Sequence, residues 1–302
     1  MKKKILFILS VVAVATLSVR TTVAFLASET ETVVNTMTAG NVSIEQLEYE
    51  RKVENGKWIA STEKDKYGYY PDMLQPFTQD KMLVPAVYAD GTTKWDDRNG
   101  SQDANGETSY QQSWAEIGAP GSNQLFDDSV KNVIDKFVFV KNTGNNDAYV
   151  RTWIAFEQGN LPTEKQGITS DNPNALLHLN QNYSWWNKQI VANNVVIADE
   201  NGVESKYLII CYTFKGEDSS KTGILTPNAV TRPSLLQVFL DPTTTNEDME
   251  AIDGNNNGKY DILVVSQASQ VAGYENAETS LNAAFGEVTA ANHPFFRVET
   301  EN

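Results

Sequence analysis

Oxygen-bearing side chains recur at every second position near the start of the segment that runs from residue 253 to residue 261. They belong to Asp253, Asn255 and Asn257, and Gly258 and Asp261 follow them. This spacing matches positions 1, 3, 5, 6 and 9 of a calcium-binding loop, in which alternate oxygens surround the ion and a glycine makes the tight turn. Asp253, Asn255, Asn257 and Asp261 are therefore candidate calcium ligands.

Position 12 of this loop departs from the calcium pattern. It is Val264, where calcium loops of this type carry a bidentate glutamate. The flanking segments also have the composition of strands and not of helices. The alternative is a polar hairpin turn between a strand at residues 249–252 and a strand that begins at Tyr260, and the missing glutamate favours this alternative. The sequence indicates no other cofactor.

Few other residues have the chemistry of a catalytic group. The two histidines, His178 and His293, are distant in sequence and do not form the H-E-x-x-H zinc motif. Cys211 is the only cysteine, and it lies in the apolar run of residues 207–214, where a thiol is buried and unreactive. We therefore expect structural roles for these three residues. No catalytic motif gives positive support for an enzyme.

The rest of the chain is dominated by short β-branched and aromatic runs separated by turn residues. The predicted strands are 32–37, 42–50, 133–140, 148–157, 185–191, 194–199, 205–215, 234–241 and 260–267. We expect residues 133–157 to form a hairpin and strand 148–157 to have one buried face. One helix is predicted at 277–284, capped by Asn276 and ended by Gly286. The pattern predicts a mostly β fold, a jelly-roll-like β-sandwich with long loop insertions and one short C-terminal helix.

The amino-terminal segment has the three parts of a secretory signal peptide. Three lysines precede an apolar stretch from residue 5 to residue 19, and small residues lead to Ala24. The apolar stretch is too short to cross a hydrocarbon core of about 30 Å. Cleavage is predicted next to Ala24, before Phe25 or one residue earlier. We expect removal of residues 1–23 and a single β-sandwich domain over residues 24–302, with a loop-rich insertion at about 51–130.

The charge and the cysteine count limit the possible partners and the sources of stability. The chain has 24 Lys and Arg residues against 39 Asp and Glu residues, and loss of the four basic residues of the signal peptide lowers its net charge from −15 to −19. Such a surface repels nucleic acid and anionic lipid, so we predict no nucleic-acid partner and no membrane contact after cleavage. A single cysteine excludes an internal disulfide, so stability depends on the apolar core.

Four segments resemble one family of exported Gram-positive proteins. They are residues 22–25, 35–42, 140–152 and 261–270, and they resemble the TasA/camelysin (CalY) family, whose members are processed by a signal peptidase of the SipW type. Residues 51–130 are not covered by this resemblance. It implies a jelly-roll β-sandwich secreted to the cell surface or the biofilm matrix. The implied partners are a SipW-type signal peptidase and copies of the chain or related matrix subunits.

The resemblance also implies a means of assembly. TasA-like subunits form fibres in which the amino-terminal strand of one subunit completes a sheet of the next, and the donor candidate here is the segment from residue 25 to residue 38. The alternative for this segment is an ordinary edge strand within one molecule. We therefore predict a secreted structural protein that forms fibres by donating its N-terminal strand.

Two other functions stay open at this point. Camelysin is described as a surface metallopeptidase, although no catalytic zinc motif is recognisable in this chain. A monomeric surface-binding module is the third possibility, with aromatic residues of the insertion, such as Trp95 and Trp114, in contact with a polysaccharide or another protein.

Overall fold

The computed structural model describes residues 23–25, 36–54, 57–58, 74–78, 81–88, 130–169, 171–181, 185–199, 202–216 and 222–295. The strands are β1 (Val23–Phe25), β2 (Thr36–Ala39), β3 (Ile44–Arg51), β4 (Val53–Glu54), β5 (Lys57–Trp58), β6 (Leu74–Pro76), β7 (Val87–Tyr88), β8 (Val130–Lys131), β9 (Ile134–Asp135), β10 (Phe137–Asn142), β11 (Ala148–Glu157), β12 (Leu177–Gln181), β13 (Trp186–Ala198), β14 (Glu204–Phe214), β15 (Ile224–Leu225), β16 (Leu235–Leu240) and β17 (Asp261–Gln270). The helices are α1 (Asn246–Ile252), α2 (Ala277–Phe285) and a 3-10 turn at Thr163–Lys165. The predicted mostly β fold with a short C-terminal helix is confirmed.

A seven-stranded sheet forms one layer of the sandwich. Its main order is β1-β17-β11-β14-β13, with β15 paired to β11 and β2 paired to β17. The opposite layer consists of two three-stranded sheets, β10-β3-β6 and β12-β16-β9. Backbone hydrogen bonds from Lys136 N to Leu236 O and from Ser234 N to Val138 O join these two small sheets. They therefore act as one layer that faces the large sheet.

The core lies between the two layers because alternate side chains of each strand point inwards. β-Branched and other aliphatic residues fill it, which suits a pleated, half-buried surface. The large sheet contributes Val150, Ile154, Ile210 and Val264, and the facing layer contributes Val138, Val140, Val238 and Leu240.

The outer face of the large sheet is buried as well, so the prediction of one buried face for strand 148–157 is wrong. All ten residues of β11 are buried. Trp153 and Ala155 pack on this outer face with Phe295 from the C-terminal segment. Tyr149 packs with Leu281 of α2. The segment that follows β17 thus covers a face that the local pattern of β11 does not identify as buried.

The predicted hairpin at residues 133–157 is also wrong. β10 pairs with β3, whereas β11 pairs with β14 and β17. The intervening turn, residues 142–147, carries the chain from one layer to the other. Asn142 holds this turn, because its Nδ2 donates to Asn146 O at 2.8 Å and to Leu225 O at 2.9 Å.

Of two other local predictions, that of the C-terminal helix agrees with the structure and that of two strands at 185–199 does not. α2 begins after Asn276, whose Oδ1 accepts a hydrogen bond from Thr279 N at 2.9 Å, and it ends at Gly286, where φ is 82°. The two strands predicted at 185–191 and 194–199 are a single strand, β13, whose register with β14 shifts twice. A bulged strand shows the interrupted alternation that two separate strands would show.

Most of the predicted signal peptide and most of the insertion lie outside the described residues, as do Trp95 and Trp114. Among the described parts of residues 51–130, residues 74–76 and 83–86 pack against the sandwich, whereas β4 and β5 pair with each other. β6 adds to β3, and Ala86 N donates to Leu240 O at 2.9 Å. Leu74 and Leu83 are buried.

Candidate metal centre

Helix α1 leads into the candidate calcium loop. Thr245 caps this helix: its Oγ1 accepts from Asp248 N at 3.2 Å, while Asp248 Oδ2 accepts from Thr245 N at 3.1 Å. This reciprocal capping box satisfies two backbone donors at the start of the helix. Ile252 in its last turn is part of the core. The expected hairpin turn, with a strand at 249–252, is therefore wrong, because the Thr245–Asp248 pair starts a helix there.

The loop after α1 is coiled around the carboxylate of Asp253. Asp253 Oδ1 accepts a hydrogen bond from Asn257 N at 3.0 Å, and Asp253 Oδ2 accepts one from Gly258 N at 2.7 Å. Asn256 and Gly258 have φ values of 56° and 76°. Glycine and asparagine tolerate this left-handed region best, and the tight coil depends on it.

Asp261 brings the other predicted residues together. Its Oδ2 accepts from Asn255 Nδ2 at 2.9 Å and from Asn257 Nδ2 at 3.3 Å. Asp261 is the first residue of β17, and only 1 % of its surface is exposed. The structure thus places all four predicted residues in one cluster, with Asp253 linked to the rest through the backbone of Asn257.

Glu157, at the end of β11, is a polar residue of this cluster that the sequence does not identify. Its Oε1 accepts from Ser205 Oγ at 2.6 Å and from Gly254 N at 2.9 Å, and its Oε2 accepts from Asp261 N at 3.2 Å. The side chain is fully buried. Glu157 therefore fixes both ends of the loop to β11. The only signal in the sequence is a glutamate that directly follows the apolar run of residues 153–156.

Burial changes the acidity of both carboxyl groups next to the loop. It raises the pKa of Glu157 to about 8; the Ser205 hydrogen bond opposes this rise, and the negative charge of Asp261 adds to it. Burial also raises the pKa of Asp261 to about 6, although the amides of Asn255 and Asn257 oppose the rise. Two carboxyl groups in a site of low polarity are neutralised either by protons or by a cation.

Two glycines allow the loop to approach β11 closely. A Cβ on Gly254 would lie 2.6 Å from Gly159 Cα, and a Cβ on Gly159 would lie 2.2 Å from Ala251 O. Side chains at these positions would separate α1 and the loop from the end of β11. The contact between the two backbones thus requires glycine on both sides.

Both histidines are buried. His178 Nε2 lies 2.9 Å from Asp241 Oδ2, and Nδ1 lies 3.0 Å from Thr169 Oγ1. The ring of His178 is stacked on Phe239 with 4.6 Å between the ring centroids. His293 is buried near Phe295 in the C-terminal segment.

Cys211 lies in the apolar cluster on the outer face of the large sheet, and we predict that it is inert in the native protein. It is 1 % exposed, and burial raises the pKa of its thiol to about 12. A thiol of pKa 12 has roughly a thousandfold less thiolate at pH 8 than an ordinary one, and the thiolate is the reactive form. Iodoacetamide at pH 8 is expected to leave the native protein unlabelled by mass spectrometry and to label it fully in 6 M guanidinium. Equal labelling rates in the two conditions would contradict this expectation.

No protein-family model, curated protein or solved structure matches the chain. Within the described residues, no three His, Cys, Asp or Glu side chains are grouped so that they could hold a metal ion. The donor set of the calcium loop is different, because it combines two carboxylates with two amides. None of the helices in the described part of the chain is long and apolar enough to span a membrane.

Proposed function

We propose that the protein is a secreted structural subunit of the cell surface or biofilm matrix of a Gram-positive bacterium, and that it assembles into fibres by donating its N-terminal strand. Its partners are copies of the same chain or related matrix subunits. The observation that carries this proposal is the pairing along the outer edge of β17.

That edge is paired by two short and separate strands. β1 pairs antiparallel with residues 261–263, and β2 pairs parallel with residues 266–269. On its other side, β17 pairs with β11 along almost its whole length. A longer extended segment could satisfy the backbone groups of this edge in one continuous ladder of a single direction, which is the basis of strand addition.

The predicted cleavage next to Ala24 falls within β1. A cut before Phe25 leaves one residue of this strand, and a cut one residue earlier leaves two. The cut would thus remove two or one of the three residue pairs with 261–263, and the backbone groups of β17 that lose their partners would need new ones. The segment 25–38 of a second molecule is suited to supply them, because its threonine and valine residues favour an extended chain. Cleavage during secretion would therefore prepare the edge of β17 for the donor strand, and this links secretion to assembly.

β13, the strand at the opposite edge of the sheet, is a poorer acceptor. Its register with β14 shifts between Ile190 and Ala192 and again between Ala192 and Val195. Asn194, within this region, has a φ of 57°. Bulges of this kind interrupt the ladder of free backbone groups and protect an edge from pairing. The acceptor role is therefore assigned to β17.

Electron microscopy of two versions of the chain tests this proposal. The version that begins at Ala24 is expected to form filaments, whereas the version that begins at Gly40 lacks the donor and β2 and is expected to form none. A synthetic peptide of residues 25–39 is expected to bind the shorter version and to raise its Tm, because the peptide occupies the edge of β17.

The matched control is the same peptide with Val33→Pro and Val34→Pro, since proline lacks the N–H that the ladder requires. This proline-containing peptide is expected neither to bind the shorter version of the chain nor to raise its Tm. Circular dichroism verifies that the shorter version is folded. Filaments from both versions would exclude N-terminal donation, as would monomers from both together with no binding of the unmodified peptide.

A further inference from the structure

We propose that residues 253–261 bind one calcium ion. The ligands we assign are the side-chain oxygens of Asp253, Asn255, Asn257 and Asp261, together with the backbone carbonyl of Lys259. These groups occupy alternate positions along the loop, which is how a short segment surrounds Ca²⁺ with oxygens. The structure adds two things to the sequence pattern: a loop that is already coiled, and a buried oxygen that needs a partner.

The coiled shape is held by the first residue of the loop. Asp253 accepts hydrogen bonds from the backbone N–H groups of Asn257 and Gly258. Asn255 and Asn257 both contact the carboxylate of Asp261. The assigned side chains are therefore close to one another without any rearrangement of the backbone, so binding needs little additional ordering of the chain.

Asp261 provides the independent indication of a ligand. Its side chain is almost completely buried, and its Oδ1 has no hydrogen-bond partner among the described residues. Its Oδ2 faces the amides of Asn255 and Asn257, so the carboxyl group is directed into the loop. A buried carboxylate oxygen without a donor is unfavourable. A cation bound in the loop would supply the missing interaction.

The two amides hold their oxygens against the backbone of the loop: Asn257 N donates to Asn255 Oδ1 at 3.2 Å, and Lys259 N donates to Asn257 Oδ1 at 2.8 Å. In the structure, Asn255 and Asn257 present their Nδ2 atoms to Asp261. An amide oxygen has two lone pairs, so each Oδ1 that accepts one backbone hydrogen bond keeps a second lone pair. The same side chains can thus donate to the carboxylate through Nδ2 and offer the remaining lone pair of Oδ1 to an ion.

The absence of a glutamate at position 12 sets the expected affinity. Val264 points into the core, and Glu157 uses its oxygens to accept from Gly254 N, Asp261 N and Ser205 Oγ. The ion is therefore held by only two carboxylates. Sites of low ligand charge bind calcium with Kd values on the order of 0.1–1 mM, the range of extracellular modules. Mg²⁺ requires a smaller and more regular octahedral shell and is expected to bind more weakly.

Calcium at this loop also has a consequence for assembly, which rests on the proposed function. Asp261 pairs with Phe25 at the start of the outer edge of β17. An ion bound by Asp261 would fix the first residue of the edge that accepts the donor strand. Calcium binding without filaments would support the metal site and reject the assembly, so the two proposals fail separately.

Isothermal titration calorimetry on the chain that begins at Ala24 tests the site. We expect one Ca²⁺ per chain with Kd on the order of 0.1–1 mM, and a rise in Tm of a few degrees in 10 mM Ca²⁺. Asp253→Asn is expected to weaken binding at least tenfold, since it removes one of two ligand charges and one of the two oxygens that accept hydrogen bonds from the backbone of the loop. Asp261→Asn is expected to have a similar effect.

Asp147→Asn is the matched control, because it removes one negative charge from an exposed turn remote in sequence from the loop. It is expected to leave the Kd unchanged. Luminescence of Tb³⁺, excited through tyrosine and displaced by Ca²⁺, gives a second measurement of binding. Three results would overturn the proposal: no heat and no Tm change in 10 mM Ca²⁺, an equal response to Mg²⁺, or undiminished binding by a folded Asp253→Asn variant.

Discussion

Replacement of Arg51 by methionine is expected to lower the free energy of unfolding by about 3–5 kcal/mol. Arg51 Nε lies 2.5 Å from Asp135 Oδ2, and Nη2 lies 2.7 Å from Asp135 Oδ1, with both side chains buried. Methionine fills much of the same volume but leaves the carboxylate of Asp135 without its counter-ion. The pair joins β3 to β9, so its loss weakens the contact between the two small sheets.

Urea denaturation followed by circular dichroism measures this change. The double variant Arg51→Met with Asp135→Leu is expected to recover much of the stability, since no uncompensated charge is then left in the core. Lys188→Met is the matched surface control: Lys188 Nζ lies 3.4 Å from the exposed Asp171, and such pairs contribute only about 0–1 kcal/mol. If Arg51→Met cost no more than Lys188→Met, the Arg51–Asp135 pair would not have the structural role assigned to it.

Replacement of Gly159 by alanine is expected to cost roughly 2–5 kcal/mol, from left-handed strain together with overpacking. Gly159 has a φ of +50°, and a Cβ there would lie 2.2 Å from Ala251 O and 2.9 Å from Gly254 N. These contacts are backbone atoms of α1 and of the loop, which cannot move aside as a flexible side chain can. The substitution therefore separates the loop from the end of β11.

Comparison with Gly202→Ala separates the loss of stability due to steric overlap from the loss due to the left-handed backbone. Gly202 has a φ of +79°, but no heavy atom of the described residues lies within 4 Å of the position that its Cβ would take. Its replacement is expected to cost only about 1–2 kcal/mol, from the left-handed backbone alone. Equal losses of stability in the two variants would show that the close approach at Gly159 is unimportant. Thermal denaturation provides an independent measurement.

The local part of the fold could be predicted from the sequence. β11 has the predicted bounds, and α2 begins and ends where Asn276 and Gly286 indicate. These elements depend on signals within a few residues of one another. The errors in strand pairing and in the burial of β11 concern partners that are distant in sequence. β10 pairs with β3, and residues 277–295 cover the second face of β11. Nothing in residues 133–157 encodes either contact.

The candidate site could also be predicted only in part. The spacing of Asp253, Asn255, Asn257 and Asp261 predicted a cluster, and the structure brings these residues together. Glu157 could not be predicted, because it belongs to a different strand and reaches the loop only through the pairing of β11 with β17. The helix before the loop was missed although Thr245 and Asp248 have the spacing of a capping box.

The pairing of Thr36 with Ser266 and of Ala155 with Leu263 determines when folding can be completed. β17 lies between the N-terminal strands and β11, so the large sheet cannot close until residues 261–270 have left the ribosome. Contacts between such distant parts of a chain form slowly. In the exported protein that we propose, this delay would keep the chain unfolded during most of its synthesis, in the extended state that passes through a secretion channel.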